Sequence, residues 1–188
     1  MTSNATTTTI PGYIAGTWTL DPVHTDISFT VRHLMVSKVR GNFTRFAGEI
    51  VTAENPLEST VNATIELDSI VTGDENRDIH LRSADFFDTA NHQIMTYRST
   101  GVRPDGDGFV VDGELTLHGV TKSVPLRLEL NGFLANSPMG TRAGFSASGE
   151  LSRKDFGIEF NMPLDGGGVV VSDKVSLNLE IEAILQNG

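Results

Sequence analysis

Gly16-Thr17-Trp18-Thr19-Leu20-Asp21-Pro22-Val23-His24-Thr25-Asp26-Ile27-Ser28-Phe29-Thr30-Val31-Arg32-His33 is the stretch whose reading decides the fold. Ile27, Phe29 and Val31 fall on one face of an extended chain, and Ser28, Thr30 and Arg32 on the other. This period of two describes a strand with one face in an apolar interior and one in water, as in antiparallel sheets; parallel sheets read as continuous apolar runs. Far along the chain, His80-Leu81-Arg82-Ser83-Ala84-Asp85-Phe86-Phe87-Asp88 breaks the rhythm with two adjacent phenylalanines. Together the two stretches point to a β-structure with an apolar interior and a covered mouth. That architecture suits a protein that holds a lipophilic molecule rather than one that transforms it.

The alternation continues outward from this strand. Val61, Ala63, Ile65 and Leu67 share a face, as do Phe109, Val111, Gly113, Leu115 and Leu117. Val124 to Leu130, Ala143 to Leu151 and Val175 to Ala183 repeat the pattern. Turn signals separate the runs: Arg103-Pro-Asp-Gly-Asp-Gly108, His118-Gly119, Asn136-Ser-Pro-Met-Gly140, and Gly166-Gly-Gly168 as a mobile loop before the last strand. With the runs near 40–46 and 47–52, about eight or nine strands are expected. Gly73 to Asp88 reads as one short helix, with Ile79, Leu81 and Phe86 at helical spacing, and Leu34 to Lys38 as a second helical turn. Closing so many strands into a barrel removes exposed edges. A barrel of about eight strands is either filled by side chains or holds one small ligand. The small inward residues Gly41, Ala63, Gly113, Ala143, Ala147 and Gly149 favour a cavity; in a filled core they would mark strand bends.

At 188 residues the chain fits one domain, residues 16–188, preceded by a flexible arm at 1–15. A formal charge of −10 makes nucleic acid a poor partner. Cysteine is absent from the sequence, which excludes disulfides, thiolate nucleophiles and Cys-ligated zinc. Met1 to Thr9 has neither the basic nor the apolar region of a secretion signal, and no apolar run is long enough to span a bilayer. A cytoplasmic protein that does not span a membrane is expected.

Candidate chemistry is sparse. His24, His33, His80, His92 and His118 show no metal-ligand spacing, so no metal or other cofactor is expected. Asp21 with His24 offers an acid–base pair, and Arg153 with Asp155 an ion pair, but there is no Gly-x-Ser-x-Gly elbow to supply a nucleophile. Asp21 and His24 are better read as satisfying backbone groups where the first strand enters the barrel. Neither glycine cluster stands between a strand and a helix as a phosphate loop does. Trp18 is expected to pack the barrel floor. Phe86 and Phe87, adjacent on a helix, would face different ways, one into the barrel end and one toward ligand or a partner subunit; the alternative is that both simply pack in the core.

Five segments stand in order along the chain: Trp18-x-Leu-Asp21-x-x-His24-x-x-Ile-x-Phe29-x-Val-Arg-His33, Val39-x-Gly41-x-Phe43-x-x-Phe46-x-Gly48, His80-x-Arg-Ser-x-Asp-Phe86-Phe87-Asp, Gly113-x-Leu-Thr-Leu-His118-Gly-Val-Thr and Leu151-Ser-Arg153-Lys-Asp155-Phe156-Gly157. In these segments the chain resembles the YceI-like family. The resemblance implies an all-β fold, a lipocalin-like antiparallel β-barrel. It also implies carriage of a long apolar ligand, a polyisoprenoid or fatty-acyl chain, often by a homodimer. Where the family usually has Tyr-Pro, this chain has His92-Gln93. The candidate ligand-binding residues are Phe29, Val31, Phe43, Ile65, Leu67, Phe86, Phe87, Phe109, Leu115, Phe145 and Phe156. Burying about ten methylenes at about 0.8 kcal/mol each contributes on the order of 8 kcal/mol before entropic costs, so no charged ligand-binding cluster is needed. Two other readings stand beside non-catalytic binding: an enzyme acting on a lipophilic substrate through Asp21, His24 or Arg153, and a ligand-free interaction module.

Overall fold

Twelve strands and one helix arise from these patterns in the computed structural model, which describes residues 9–187. The strands are β1 (Gly16–Leu20), β2 (Asp26–His33), β3 (Ser37–Phe43), β4 (Phe46–Thr52), β5 (Thr60–Glu66), β6 (Ile70–Val71), β7 (Ile94–Asp105), β8 (Gly108–Leu117), β9 (Val120–Ser123), β10 (Leu126–Ser137), β11 (Gly140–Ser152) and β12 (Lys174–Leu185); the helix is α1 (Glu75–Arg82). All pairings are antiparallel, and the order β1-β4-β5-β7-β8-β10-β11-β12 closes on itself where Trp18 pairs with Leu185 and Leu20 with Ala183. The result is a lipocalin-like eight-stranded barrel.

The strand count exceeds eight because three barrel strands are broken and because β9 adds a short hairpin strand on β8. β1 and β2 lie end to end along β12, β4 and β3 run beside them, and β5 and β6 run beside those in turn. The breaks have local causes. Pro22 has no N–H for the ladder, and Asp21 turns its carboxylate onto the Val23 N–H at 2.9 Å. At the neighbouring break the buried Ser69 hydroxyl donates to the Glu66 carbonyl at 2.7 Å and accepts the Arg45 N–H at 3.0 Å.

The hairpins fall where turn residues stand. Gly106-Asp107 joins β7 to β8, and Pro138-Met139 joins β10 to β11. His118-Gly119 joins β8 to β9 with φ of 54° and 75°, the left-handed pair that matches strand twist. Leu34 to Lys38 is a correction. Leu34–Val36 form the β2–β3 hairpin turn and Ser37 and Lys38 open β3, with no helix and with φ of 52° at Leu34 and 63° at Met35. The expected helix within Gly73–Asp88 is α1, capped by the Asp74 carboxylate on the Arg77 N–H. It stops at Arg82, and its Ile79 faces solvent.

The barrel has two unlike ends. At one, Trp18 is wholly buried among Ile50, Ala143, Phe145 and Ala183. Its Nε1–H donates to Thr52 Oγ1 at 2.8 Å, which places it in the floor as expected. The chain before β1 docks here too: the Tyr13 hydroxyl donates to the Ala53 carbonyl at 2.6 Å, and its ring meets Phe133 edge-on. Of the expected arm, residues 1–15, Ile10 and Tyr13 reach the barrel interior; its first eight residues lie outside the described ones. The other end carries α1, the turn after it, and the long connection 157–173 between β11 and β12.

Candidate functional site

Between these ends the barrel encloses an apolar cavity of about 260 Å³. Period two builds its wall: Val61, Ala63 and Ile65 face it from β5, Leu126, Leu128 and Leu130 from β10, and Leu177, Leu179 and Ile181 from β12. Nine of the expected residues line it: Phe29, Val31, Phe43, Ile65, Phe86, Phe87, Phe109, Leu115 and Phe145. Leu67 and Phe156 are not on the cavity wall. β5 ends at Glu66, so the alternation that would point Leu67 inward stops one residue short; Leu67 is wholly buried in a one-turn 3₁₀ helix. Phe156 sits in another such turn and packs into the core among neighbouring apolar side chains.

Phe86 and Phe87 both face the cavity because they follow the helix instead of riding on it. The Phe86 N–H donates to Ser83 O at 3.0 Å and the Phe87 N–H to Leu81 O at 2.9 Å, which folds the turn back under α1. Phe87 meets Phe29 and Phe43 edge-on or nearly so, with centroids 6.2 and 5.8 Å away. Phe86 packs with Phe160 and His80. Of the two expected destinations for the second ring, ligand or a partner subunit, the geometry fits the ligand: Phe86 is buried and both rings line the cavity.

The small residues act in two ways. Ala63 and Ala147 line the cavity. Gly41 and Gly113 instead admit aromatic rings, since a Cβ on Gly41 would lie 2.5 Å from the Phe29 ring and one on Gly113 2.4 Å from that of Tyr97. Ala143 packs in the Trp18 cluster away from the cavity, and Gly149 lies under Leu126 and Pro125. Sequence reasoning missed Ile10, Tyr13 and Tyr97 on the wall. An isolated aromatic in the polar arm was the available signal for Tyr13.

Polar groups on the wall are tied to backbone. The Tyr97 hydroxyl donates to Val124 O at 2.9 Å, and burial pushes its phenol above the ordinary range. Arg153, 4% exposed, does not pair with Asp155 as the sequence suggested. It donates through Nε to Ser172 O, through Nη1 to Ile158 O and Phe160 O, and through Nη2 to Val171 O, at 2.8–3.2 Å. Burial holds its guanidinium below the ordinary arginine value.

Asp21 and His24 lie off the cavity wall, at the β1–β2 break. His24 Nδ1–H donates to Asp21 Oδ2 at 2.8 Å, while Arg142 donates to both Asp21 and Glu182. A second group, Asp88, His92 and His118, is brought together at the covered end, with one donor atom of each within 4.8 Å of the others. Sequence spacing gave no sign of it, because His118 comes from the β8–β9 turn.

An antiparallel eight-stranded barrel closed around an apolar cavity, floored by a tryptophan and covered by a helix and paired phenylalanines, defines the lipocalin-like class of barrel. The YceI-like domain model matches residues 18–183. The chain belongs to the YceI-like family. It is 39% identical to the protein YceI of Escherichia coli over 164 residues, 87% of this chain and 83% of that one. Among solved structures, the Campylobacter jejuni YceI protein superposes with a TM-score of 0.69 at 29% identity, covering 95% of this chain and all of the other. A polyisoprenoid binding domain from Saccharophagus degradans shares the fold, with a TM-score of 0.66 at 20% identity over 92% of this chain and all of that domain.

Proposed function

We propose that this protein binds a long-chain lipophilic molecule, a polyisoprenoid or acyl-chain lipid, inside the barrel and carries or sequesters it unchanged. The observation that carries this reading is the apolar cavity running through the core. Natural cores contain few voids larger than a water molecule. An unfilled apolar void of this size costs on the order of 6 kcal/mol at about 24 cal/mol per Å³. An apolar chain removes that cost and adds its own burial, so affinity rises with buried length until the tube is full. The structural neighbour from Saccharophagus degradans, a polyisoprenoid binding domain, supports the same ligand class.

Catalysis is disfavoured by position. The Asp21–His24 pair stands off the cavity wall, and Arg153 commits its donors to four carbonyls. The proposal includes a two-fold dimer, supported by the exposed apolar hairpin tip Leu34-Met35-Val36. Native mass spectrometry of the purified protein, followed by lipid extraction, tests these points together. The expected result is a dimer mass carrying lipid, with delipidated protein taking up prenyl alcohols more tightly as the chain lengthens. Failure to bind prenyl or acyl chains of any length would overturn the binding reading. Saturable hydrolysis of prenyl esters would overturn the non-catalytic one, and a monomer mass at all concentrations would remove the dimer.

A further inference from the structure

We propose that Asp88, His92 and His118 form a binding site for a divalent transition-metal ion of the zinc type, at the covered end of the barrel and separate from the lipid cavity. None of the three lines that cavity. Asp88 and His92 stand four residues apart on one turn, where the His92 N–H donates to Asp88 O at 2.8 Å, so their side chains share a face. His118 arrives from the β8–β9 turn, and its ring centroid lies 4.7 Å from that of His92. Zinc bonds to nitrogen and oxygen are about 2.0–2.2 Å long, so the donors of one ion lie at most about 4.4 Å apart. Donors already within 4.8 Å of one another close around an ion with little movement.

The surroundings favour a metal here in two ways. His118 Nδ1 lies 3.0 Å from Phe156 O and donates its proton there, which leaves Nε2 as the lone-pair nitrogen and fixes the ring. Metal-bound histidines are oriented in this manner by a carbonyl behind them. Among the described residues Asp88 pairs with no lysine or arginine, its carboxylate accepting only the Asn91 amide at 2.9 and 3.2 Å. The alternative group, Asp21, His24 and Glu182, fails this criterion: the Arg142 guanidinium already bonds both carboxylates and occupies the cation's place.

Two imidazoles and one carboxylate suit zinc and its first-row neighbours, whereas calcium and magnesium seek more oxygen donors. Three half-buried protein ligands leave a coordination position for water. The ion would tie the 88–92 segment, which directly follows Phe86 and Phe87, to the end of β8 and so brace the cover of the cavity.

The test uses the whole protein, stripped with a chelator, dialysed against zinc sulfate, and read by elemental analysis and thermal melting. One zinc per chain and a raised melting temperature are expected. Asp88→Asn and His92→Gln, each checked for native circular dichroism, should weaken zinc binding at least tenfold, while His24→Gln should leave it unchanged. Failure of the wild type to retain zinc would overturn the site. So would retention unchanged in both variants at the proposed site, or loss in His24→Gln.

Discussion

Asp21 is a single side chain that does three jobs at the β1–β2 break. Its carboxylate accepts the Val23 N–H and the His24 ring N–H, and it pairs with Arg142 from β11. The His24 hydrogen bond first, with help from Arg142 and Val23, pulls its pKa from 3.8 down to about 2 against the opposing effect of burial. Because the folded value is depressed, its stabilisation is present above the ordinary value of 3.8 and is lost as pH falls through about 2. At about 1.4 kcal/mol per unit this amounts to about 2 kcal/mol. His24 has the opposite sign. Asp21 raises its pKa, so its contribution is present below 6.5 and is lost as pH rises through the raised value. Asp21→Asn should therefore cost about 2 kcal/mol at neutral pH and flatten the loss of stability between pH 4 and pH 2. Urea unfolding across that range measures it; curves that stay parallel for variant and wild type would show that Asp21 does not supply the acid limb. The pairing of Asp21 with His24 was legible because the two are three residues apart. Arg142 was not, since 121 residues separate it from Asp21.

At the scale of elements, the connection 157–173 shows what holds a segment that has no regular structure of its own. Its carbonyls at Ile158, Phe160, Val171 and Ser172 converge on the Arg153 guanidinium, whose planar fork presents several donors at fixed angles. Arg153→Met removes every donor at once and leaves buried acceptors bare, a loss on the order of 3 kcal/mol or more. Arg153→Lys should recover only part of it, because an ammonium cannot imitate the fork. Hydrogen exchange should quicken across 157–173 in the methionine variant while β8 and β10 stay protected. Unchanged exchange in the connection would show that its apolar contacts hold it without the arginine. The motif containing Arg153 stood out in the sequence, but its nearest charge, Asp155, suggested an ion pair. The true partners are backbone carbonyls, which no sequence pattern marks.

At the scale of the whole molecule, the question is whether the barrel interior is a tube or a sealed core. Ala147 on β11 pairs with Leu128 on β10 and Leu179 on β12, and all three face the cavity. Ala147→Trp places a large ring in that space. In a tube the ring displaces ligand at little cost, whereas in a filled core it overpacks by about 1–3 kcal/mol. The expected outcome is lost lipid with the melting temperature of equally delipidated wild type. A large drop in melting temperature, with no lipid bound by either protein, would mean a filled core and no carrier.

The sequence by itself determined most of the inward-facing residues, the hairpin turns at 103–108, 118–119 and 136–140 and the antiparallel sheet, because period two and turn chemistry act between near neighbours; the β2–β3 turn, read as helical, escaped it. It also placed Trp18 in the floor and nine candidate residues on the cavity wall. Only the tertiary structure decided the rest. Leu67 left the wall because its strand breaks one residue earlier. Gly41 and Gly113 turned out to hold aromatic rings instead of empty space, since what lies over a glycine depends on its neighbours across the sheet. The direction of Phe86 and Phe87, the carbonyl cage around Arg153 and the meeting of His92 with His118 all rest on contacts between distant segments. Such contacts exist only once the barrel closes, so no local pattern could announce them.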